Sequence, residues 1–242
     1  MPKLRLPLVS IVIPAMNEAE NLSPLLRELK ATITSIPDYR FEVIVVNDHS
    51  KDRTAEVGRK AGATVLSNRR MPGKGNALIT GFEKTKGLTI IMMDADRSHR
   101  PEDIPKFLEH LQKGHGLVVG SRTLGGSDEY TALRMLGNVI LSTVFRALTG
   151  VTTTDVLNGY KAFRRELFDR YRYRCKEFEI EIELMINTLR QGWTIGEFAC
   201  HERSRGAGEA KSKIVRHGLR FLWAIIKLSA IYRLEKPFAR KR

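Results

Sequence analysis

Asp94 and Asp96 stand one residue apart at the end of the apolar run "LTIIMMDAD". Two carboxylates at i and i+2 where a strand stops can converge on one hard divalent cation, Mg2+ or Mn2+. Water and phosphate oxygens then complete its shell. The same pair also reads as an Asx-turn or as a cap on the helix that opens at "RPED", and alone it does not choose. Its company argues for the cation. Two further apolar runs end on polar groups, Asn17-Glu18 soon after "LVSIVIP" and Asn47-Asp48 after "FEVIVV". "GKG" at 73–75 adds backbone N–H groups at a helix start, and Lys74, suited to an anion. No P-loop pattern occurs.

The elements that must position these groups follow from hydrophobic periodicity. "LVSIVIP", "FEVIVVND", "ATVLSN", "LTIIMMDAD" and "GLVVGS" read as buried strands. Between them, Leu22, Leu25, Leu26, Leu29 and Ile33 recur at helical steps from Asn17 to Thr34. "GKGNALITGFEKT" and "RPEDIPKFLEHL" are helical in pattern. This alternation predicts an α/β fold with a mostly parallel, Rossmann-like sheet covered by helices on both faces. Ligands of such sheets gather at the carboxyl ends of the strands, which is where the three polar punctuations fall.

After Ser121 the pattern loosens. "TALRMLGNVILSTVFRALTG" reads as a helix, "TTTDVLNGYKAF" as a polar loop entering a short strand, and "WTIGEFACHER" as another strand. "KEFEIEIELMINTLRQG" alternates at period two and then turns helical, and its four glutamates read as a solvated face. Glu179 or Glu181 as shapers of a binding loop is the other reading. His99, His201 and His217 have no metal spacing and receive no ligand role. Without repeats or a linker, one domain over 1–212 is expected, with 213–242 a basic amphipathic helix and tail extending it.

The 242 residues include 41 Lys+Arg against 27 Asp+Glu, a formal net charge of +14 that points to an anionic partner. Nucleic acid, anionic lipid and phosphorylated substrates all satisfy it. Cys175 and Cys200 form no paired spacing, so neither a disulfide framework nor a zinc site is expected. The N-terminus has no signal-peptide pattern and no stretch is apolar enough to span a bilayer. The expected location is cytoplasmic, peripheral at the cytoplasmic face of a membrane.

The ordered set "IVIPAMNE", "VIVVNDHSKD", "GKGNAL", "MMDADRSHRPED", "VVGSR" and "DVLNGYKAF" resembles the family 2 glycosyltransferases of GT-A fold. Within them it looks most like the polyprenyl-phosphate sugar transferases, such as the dolichyl-phosphate mannose synthases, over roughly residues 8 to 215. The resemblance implies metal-dependent, inverting transfer of a hexose from a nucleoside-diphosphate sugar to a polyprenyl phosphate. GDP-mannose is the favoured donor, with UDP-glucose or a non-lipid sugar acceptor as alternatives. It implies that Pro14, Asn17, Glu18, Asp48, Lys74, Asp94 and Ala95 bind the donor nucleotide. Asp94 and Asp96 would hold Mg2+ or Mn2+, and Asp96 and Arg122 would be catalytic. Asn47 stands where many relatives have aspartate, and Ser98 where some supply a further metal ligand.

The acceptor follows partly from an absence. Sugar hydroxyls need a general base, and relatives that glycosylate sugars carry a Glu-Asp pair that "TTTDVLNGYKAF" lacks. A phosphate monoester, with a second pKa of about 6, needs charge neutralisation instead. Guanidinium forks match its oxygens. Arg122 follows a strand end. Arg134 and Asn138 resemble the family's acceptor-phosphate contacts, and Arg203, Arg205 and Lys211 (or Lys213) lie in the glycine-containing "HERSRGAGEAKSK", which reads as a lid.

In the tail, Ile214, Leu219, Leu222, Trp223, Ile226, Ile231 and Leu234 form an apolar stripe flanked by Arg and Lys. That profile suits a membrane interface or a membrane partner; a core-packing or dimer-forming helix is the other reading. A nucleotidyltransferase would carry an N-terminal glycine-rich loop, absent from "VSIVIPAMNE". A nucleic-acid-binding module explains the charge but not carboxylates at strand ends, so no nucleic-acid partner is expected.

Overall fold

Apolar runs of four to eight residues give seven strands, and the computed structural model, which describes residues 6–208 and 214–239, joins them in one sheet. The strands are β1 (Leu8–Ala15), β2 (Arg40–Asn47), β3 (Thr64–Ser67), β4 (Thr89–Met92), β5 (Leu117–Ser121), β6 (Lys161–Arg164) and β7 (Ile195–Ala199). The helices are α1 (Ala19–Thr34), α2 (Thr54–Lys60), α3 (Lys74–Phe82), α4 (Ile104–Gln112), α5 (Arg122–Gly125), α6 (Ala132–Thr149), α7 (Glu166–Asp169), α8 (Ile180–Arg190) and α9 (Ile214–Ala239).

Strand order is β3-β2-β1-β4-β6-β5-β7. β3, β2, β1 and β4 pair in parallel, as do β5 and β7, but β6 enters antiparallel between β4 and β5. Strict β-α alternation does not reveal that insertion, because a four-residue strand leaves too little pattern. β1 also runs one residue past Pro14; its pairing with β4 ends at Val12, so the proline lies beyond that ladder.

Because both faces are covered, nearly every central strand residue is apolar and alternates between two cores. Ile11, Ile13, Val45 and Ile91 pack with α1 and α4, while Val12, Val46, Ile90 and Met92 pack with α3, α6, α8 and α9. The ambiguous glutamate-rich segment resolves as a turn followed by α8. Its expected solvated face is corrected: Glu181 and Glu183 are buried. Glu183 accepts the backbone N–H groups of Arg174 and Cys175 at 2.8–3.1 Å, which satisfies a chain that has no ladder partner there.

Of the expected apolar stripe on α9, Leu219, Trp223, Ile226 and Leu234 are exposed and Leu222 packs against the core; the residues α9 buries there are Phe221, Ala224, Ile225 and Tyr232, which the stripe did not include. Among the described residues no helix is long and apolar enough to cross a membrane, and Cys175 and Cys200 are unbridged.

Candidate active site

A cleft of about 540 Å3 opens over the carboxyl ends of β1, β2, β4 and β5. Most of the residues singled out by spacing line it: Pro14, Glu18, Asp48, Lys74, Asp94, Ala95 and Asp96, together with Arg122, Arg134, Asn138 and Arg205. Two do not. Asn17 adopts a positive φ of 54° and its Oδ1 accepts the backbone N–H of Lys51 at 2.7 Å, so it serves the turn after β1. Arg203 turns away to Glu28 at 2.8 Å. Lys211 and Lys213 lie outside the described residues.

The carboxylates of this cleft are matched by cations from distant segments. Lys74 Nζ sits 2.7 Å from Asp94 and 2.9 Å from Glu181. Arg205 bridges Asp96, at 2.9 Å, and Glu18. Arg122 grips Asp155 through Nε and Nη2, at 2.7 and 2.9 Å, and reaches Glu202 at 3.3 Å. Arg134 pairs more loosely with Glu129 at 3.6 Å. Asn138 donates to Thr123 and to the Thr154 carbonyl.

Local sequence explains how each group is aimed. Asp96 Oδ1 accepts from both the N–H and the hydroxyl of Ser98, an Asx-turn that holds the side chain toward the cleft. His99 Nδ1 meets the Asp94 backbone N–H at 3.0 Å and its Nε2 meets Asn158 Oδ1 at 3.1 Å, with the ring stacked on Tyr160. Asp48 accepts from Asn68 at 2.7 Å and from the Gly73 N–H at 2.9 Å. That donor at the start of "GKG" is thus spent on Asp48. Gly75 is there for close packing, since a Cβ would lie 2.6 Å from the Lys176 carbonyl carbon.

Burial opposes the charge on Asp94, but Lys74, His99 and Arg122 outweigh it and hold the carboxyl at about 2. Asp155 is likewise held below its ordinary value by Arg122 against the cost of burial. Lys74 is raised, since Asp94 and Glu181 overcome its burial. Lys161, fully buried, is pushed down to about 8; its ammonium donates to the carbonyls of Val156 and Asn158 and so ties down the loop beneath the cleft.

Several site residues escaped the sequence reading. Asp155, Glu202 and Tyr130 line or underpin the cleft beside Arg122, while Glu181, whose alternative reading was a shaper of a binding loop, lies beside Lys74. Tyr130 packs its ring 4.9 Å from the Arg122 guanidinium. Gly159 is the one residue that fits against Lys74: an added Cβ would lie 2.6 Å from Nζ and 3.1 Å from Asp94 Oδ2. The available signal was Asp155 itself, the only acid in "TTTDVLNGYKAF".

Among the described residues no group of three or more His, Cys, Asp or Glu is arranged to hold a metal. A hard cation needs no such group: it takes two carboxylates and fills its shell with water and phosphate. Asp94 and Asp96 face the same cleft, and each already carries a cationic side chain where such a charge would sit.

Residues 10–172 match the glycosyl transferase family 2 profile. The chain belongs to that family. It is 30% identical over 229 residues to a dolichol-phosphate mannosyltransferase of Pyrococcus furiosus, covering 90% of this chain and 64% of that one. An undecaprenyl-phosphate 4-deoxy-4-formamido-L-arabinose transferase of Pseudomonas fluorescens is 32% identical, with 86% and 61% covered. The chain thus spans about three-fifths of those two relatives. A dolichyl-phosphate hexose transferase of Haloferax volcanii matches at 30% over 94% of this chain and 96% of its own. Among solved structures, mannosyl-3-phosphoglycerate synthase from Rubrobacter xylanophilus superposes with a TM-score of 0.73 at 22% identity, covering 98% and 76%. Glucosyl-3-phosphoglycerate synthase from Mycobacterium tuberculosis, crystallised with Mn2+ and UDP-glucose, gives 0.75 at 22%, covering 93% and 80%. The fold of this family 2 chain is of GT-A type.

Proposed function

We propose that the chain is a metal-dependent inverting glycosyltransferase that moves a hexose from a nucleoside-diphosphate sugar to a polyprenyl phosphate. The observation that carries this reading is the gathering of Glu18, Asp48, Asp94 and Asp96 from three parallel strand ends into one cleft that Arg122 and Arg134 also line. The curated relatives are named for transfer to dolichol or undecaprenyl phosphate. A mannosyl donor is favoured by the Pyrococcus relative, GDP-mannose in the first instance; UDP-glucose is the second candidate. A membrane surface is the expected partner, because such an acceptor is anchored by its chain.

Asp94 and Asp96 would hold Mg2+ or Mn2+, which when bound supplies positive charge to a departing diphosphate without a proton transfer. The remaining work belongs to the chain. Glu18 and Asp48 face the donor side beside Pro14. Ser98 and His99 keep the two aspartates aimed. Arg122 is fixed by Asp155 and presents its remaining N–H donors and its charge to the acceptor phosphate, with Arg134, Asn138 and Arg205 nearby.

The carboxylates beside Arg122 are engaged: Glu202 accepts from the Ser127 hydroxyl and pairs with Arg122, and Glu129 accepts from the Arg205 N–H and pairs with Arg134. Asp155 is fully buried and accepts from the Arg122 side chain and from the backbone N–H groups of Arg122 and Asn158. An acceptor already anionic near neutral pH suits such a site better than a hydroxyl. The test is a transfer assay with GDP- and UDP-sugars against a short polyprenyl phosphate and against free sugars, with and without Mn2+ or Mg2+. Metal-dependent product on the lipid phosphate alone is expected. Turnover that persists with chelator, or that goes only to sugar acceptors, would overturn the reading.

A further inference from the structure

Among the described residues Lys161 is the one lysine or arginine fully closed to solvent. It stands mid-sheet on β6, opposite Met92 of β4 and Val119 of β5. Phe163, two residues on and so on the same face, packs into the core shared with α3, α6, α8 and α9. Positions of this kind are ordinarily apolar. Burial works against an ammonium there and pulls its pKa from 10.5 down to about 8.

The charged groups around it are divided. Glu181 from α8 and Asp155 from the loop before β6 favour its charge, while Lys74 from α3 and Arg122 from α5 oppose it. Its hydrogen bonds go to main-chain carbonyls, of Val156 at 3.3 Å and of Asn158. Both carbonyls belong to the loop 155–159, and that loop touches the cleft at two places. Asp155 fixes the Arg122 guanidinium. Asn158 Nδ2 donates to the Gly120 carbonyl at the end of β5, and its Oδ1 meets His99 Nε2, whose Nδ1 meets the Asp94 N–H. Gly159 lies directly against Lys74 and Asp94. Five residues therefore connect the arginine proposed for the acceptor with an aspartate proposed for the cation, and one buried side chain ties them down.

The structure assigns to Lys161 a positioning role in the transfer reaction: its ammonium locks the loop 155–159, so that Arg122 and Asp94 keep one fixed relation. It touches no substrate. The assignment rests on the glycosyl-transfer reading above for its consequence, and on the loop geometry alone for its means. A charged donor binds a carbonyl oxygen more strongly than a neutral one, which gives a reason for lysine where methionine would fill a similar volume. Precision matters at such a place, because an error of about 1 Å in a reacting geometry costs on the order of a hundredfold in rate.

The test compares Lys161→Met, which removes the donors, with Lys161→Gln, which keeps N–H donors and removes the charge. Lys161→Met is expected to lower kcat for transfer to a short polyprenyl phosphate by about ten- to a hundredfold, with KM for both substrates little changed. Lys161→Gln should lose only a few-fold. In the unaltered chain, assayed with Mg2+, kcat should fall toward the Lys161→Gln level as pH rises through about 8, and both variants should lack that limb. Hydrogen exchange reads the loop without any substrate. The amides of Asp155, Asn158 and Tyr160 donate to the side chains of Glu197, Asp155 and Asn158 in turn. They should exchange at least about tenfold faster in Lys161→Met.

Unchanged kcat in a folded Lys161→Met overturns the assignment, as does a lowered kcat with loop exchange unaltered. So does an alkaline limb that persists in Lys161→Gln. Should Lys161→Met not fold, Lys161→Gln and the alkaline limb decide. Absence of any transfer by the unaltered chain sinks the proposed function, and the exchange comparison then still shows whether Lys161 holds the loop.

Discussion

Arg122 and Arg205 both reach the cleft, but from different kinds of ground. Arg122 follows β5 directly and pairs with Asp155, which is fully buried and further held by backbone amides. Arg205 sits on the chain after β7 and pairs with Glu18 and Asp96, two residues the proposed donor and cation would need. The first pair is internal architecture. The second occupies a binding site. An arginine whose partner carries no other duty is part of the scaffold, whereas one whose partners are the ligand's own must yield them when the ligand arrives.

The largest effect should come from the carboxylates that both readings depend on. Asp94→Ala with Asp96→Ala is expected to lower transfer by at least about a thousandfold. The fold should survive, since both side chains stand in the cleft rather than the core; turnover and thermal melts check the two halves of that statement. Full turnover in the double variant would remove the distinction between Arg205 and Arg122 altogether, because neither would then border a working site.

Next comes Arg122→Ala. Removing one partner of a buried pair leaves Asp155 charged and uncompensated, at a cost of about 3–5 kcal/mol, read as a lowered denaturant midpoint. Arg205→Ala should cost less, about 1–3 kcal/mol, because Asp96 keeps its Ser98 donors and Glu18 keeps the Asn21 amide when the guanidinium is gone. It should also raise, by a few-fold, the affinity for Mn2+ measured by thermal shift without donor, since Asp96 is no longer occupied. Equal destabilisation by the two substitutions would break the comparison.

How much of this was readable beforehand varies along the chain for physical reasons. The donor side was legible because its groups sit at the ends of apolar runs, and a run that stops on a carboxylate is visible without knowing the fold. Asp94, Asp96, Glu18 and Asp48 all came from that signal and all line the cleft. The partners were not legible. Asp155 pairs with a residue 33 positions away, and Glu181 meets Lys74 across 107; each looks locally like a solvated acid. Glu183 was misread for the same reason, since alternation with apolar neighbours does not reveal that α8 turns it inward. β6 was too short to declare its direction.

The smallest effect is read by pH and sets a further cleft pair, Lys74 with Asp94, against the Arg122–Asp155 pair. Asp94 is held at about 2 in the folded chain against an ordinary 3.8. Between those values the unfolded chain binds more protons, so stability rises with pH. The contribution is complete above about pH 4 and fades as pH falls toward 2. Asp155 is lowered too, by Arg122, and titrates on the same side. Urea midpoints taken from pH 5 down to pH 2 should therefore fall in the unaltered chain, and Asp94→Asn should flatten part of that fall. The slope that remains in Asp94→Asn belongs in part to Asp155, and combining it with Asp155→Asn should flatten the fall further. An acid limb unchanged by Asp94→Asn would mean that Lys74 does not favour the ionised carboxylate, and that the cleft pair contributes nothing the scaffold pair does not already supply.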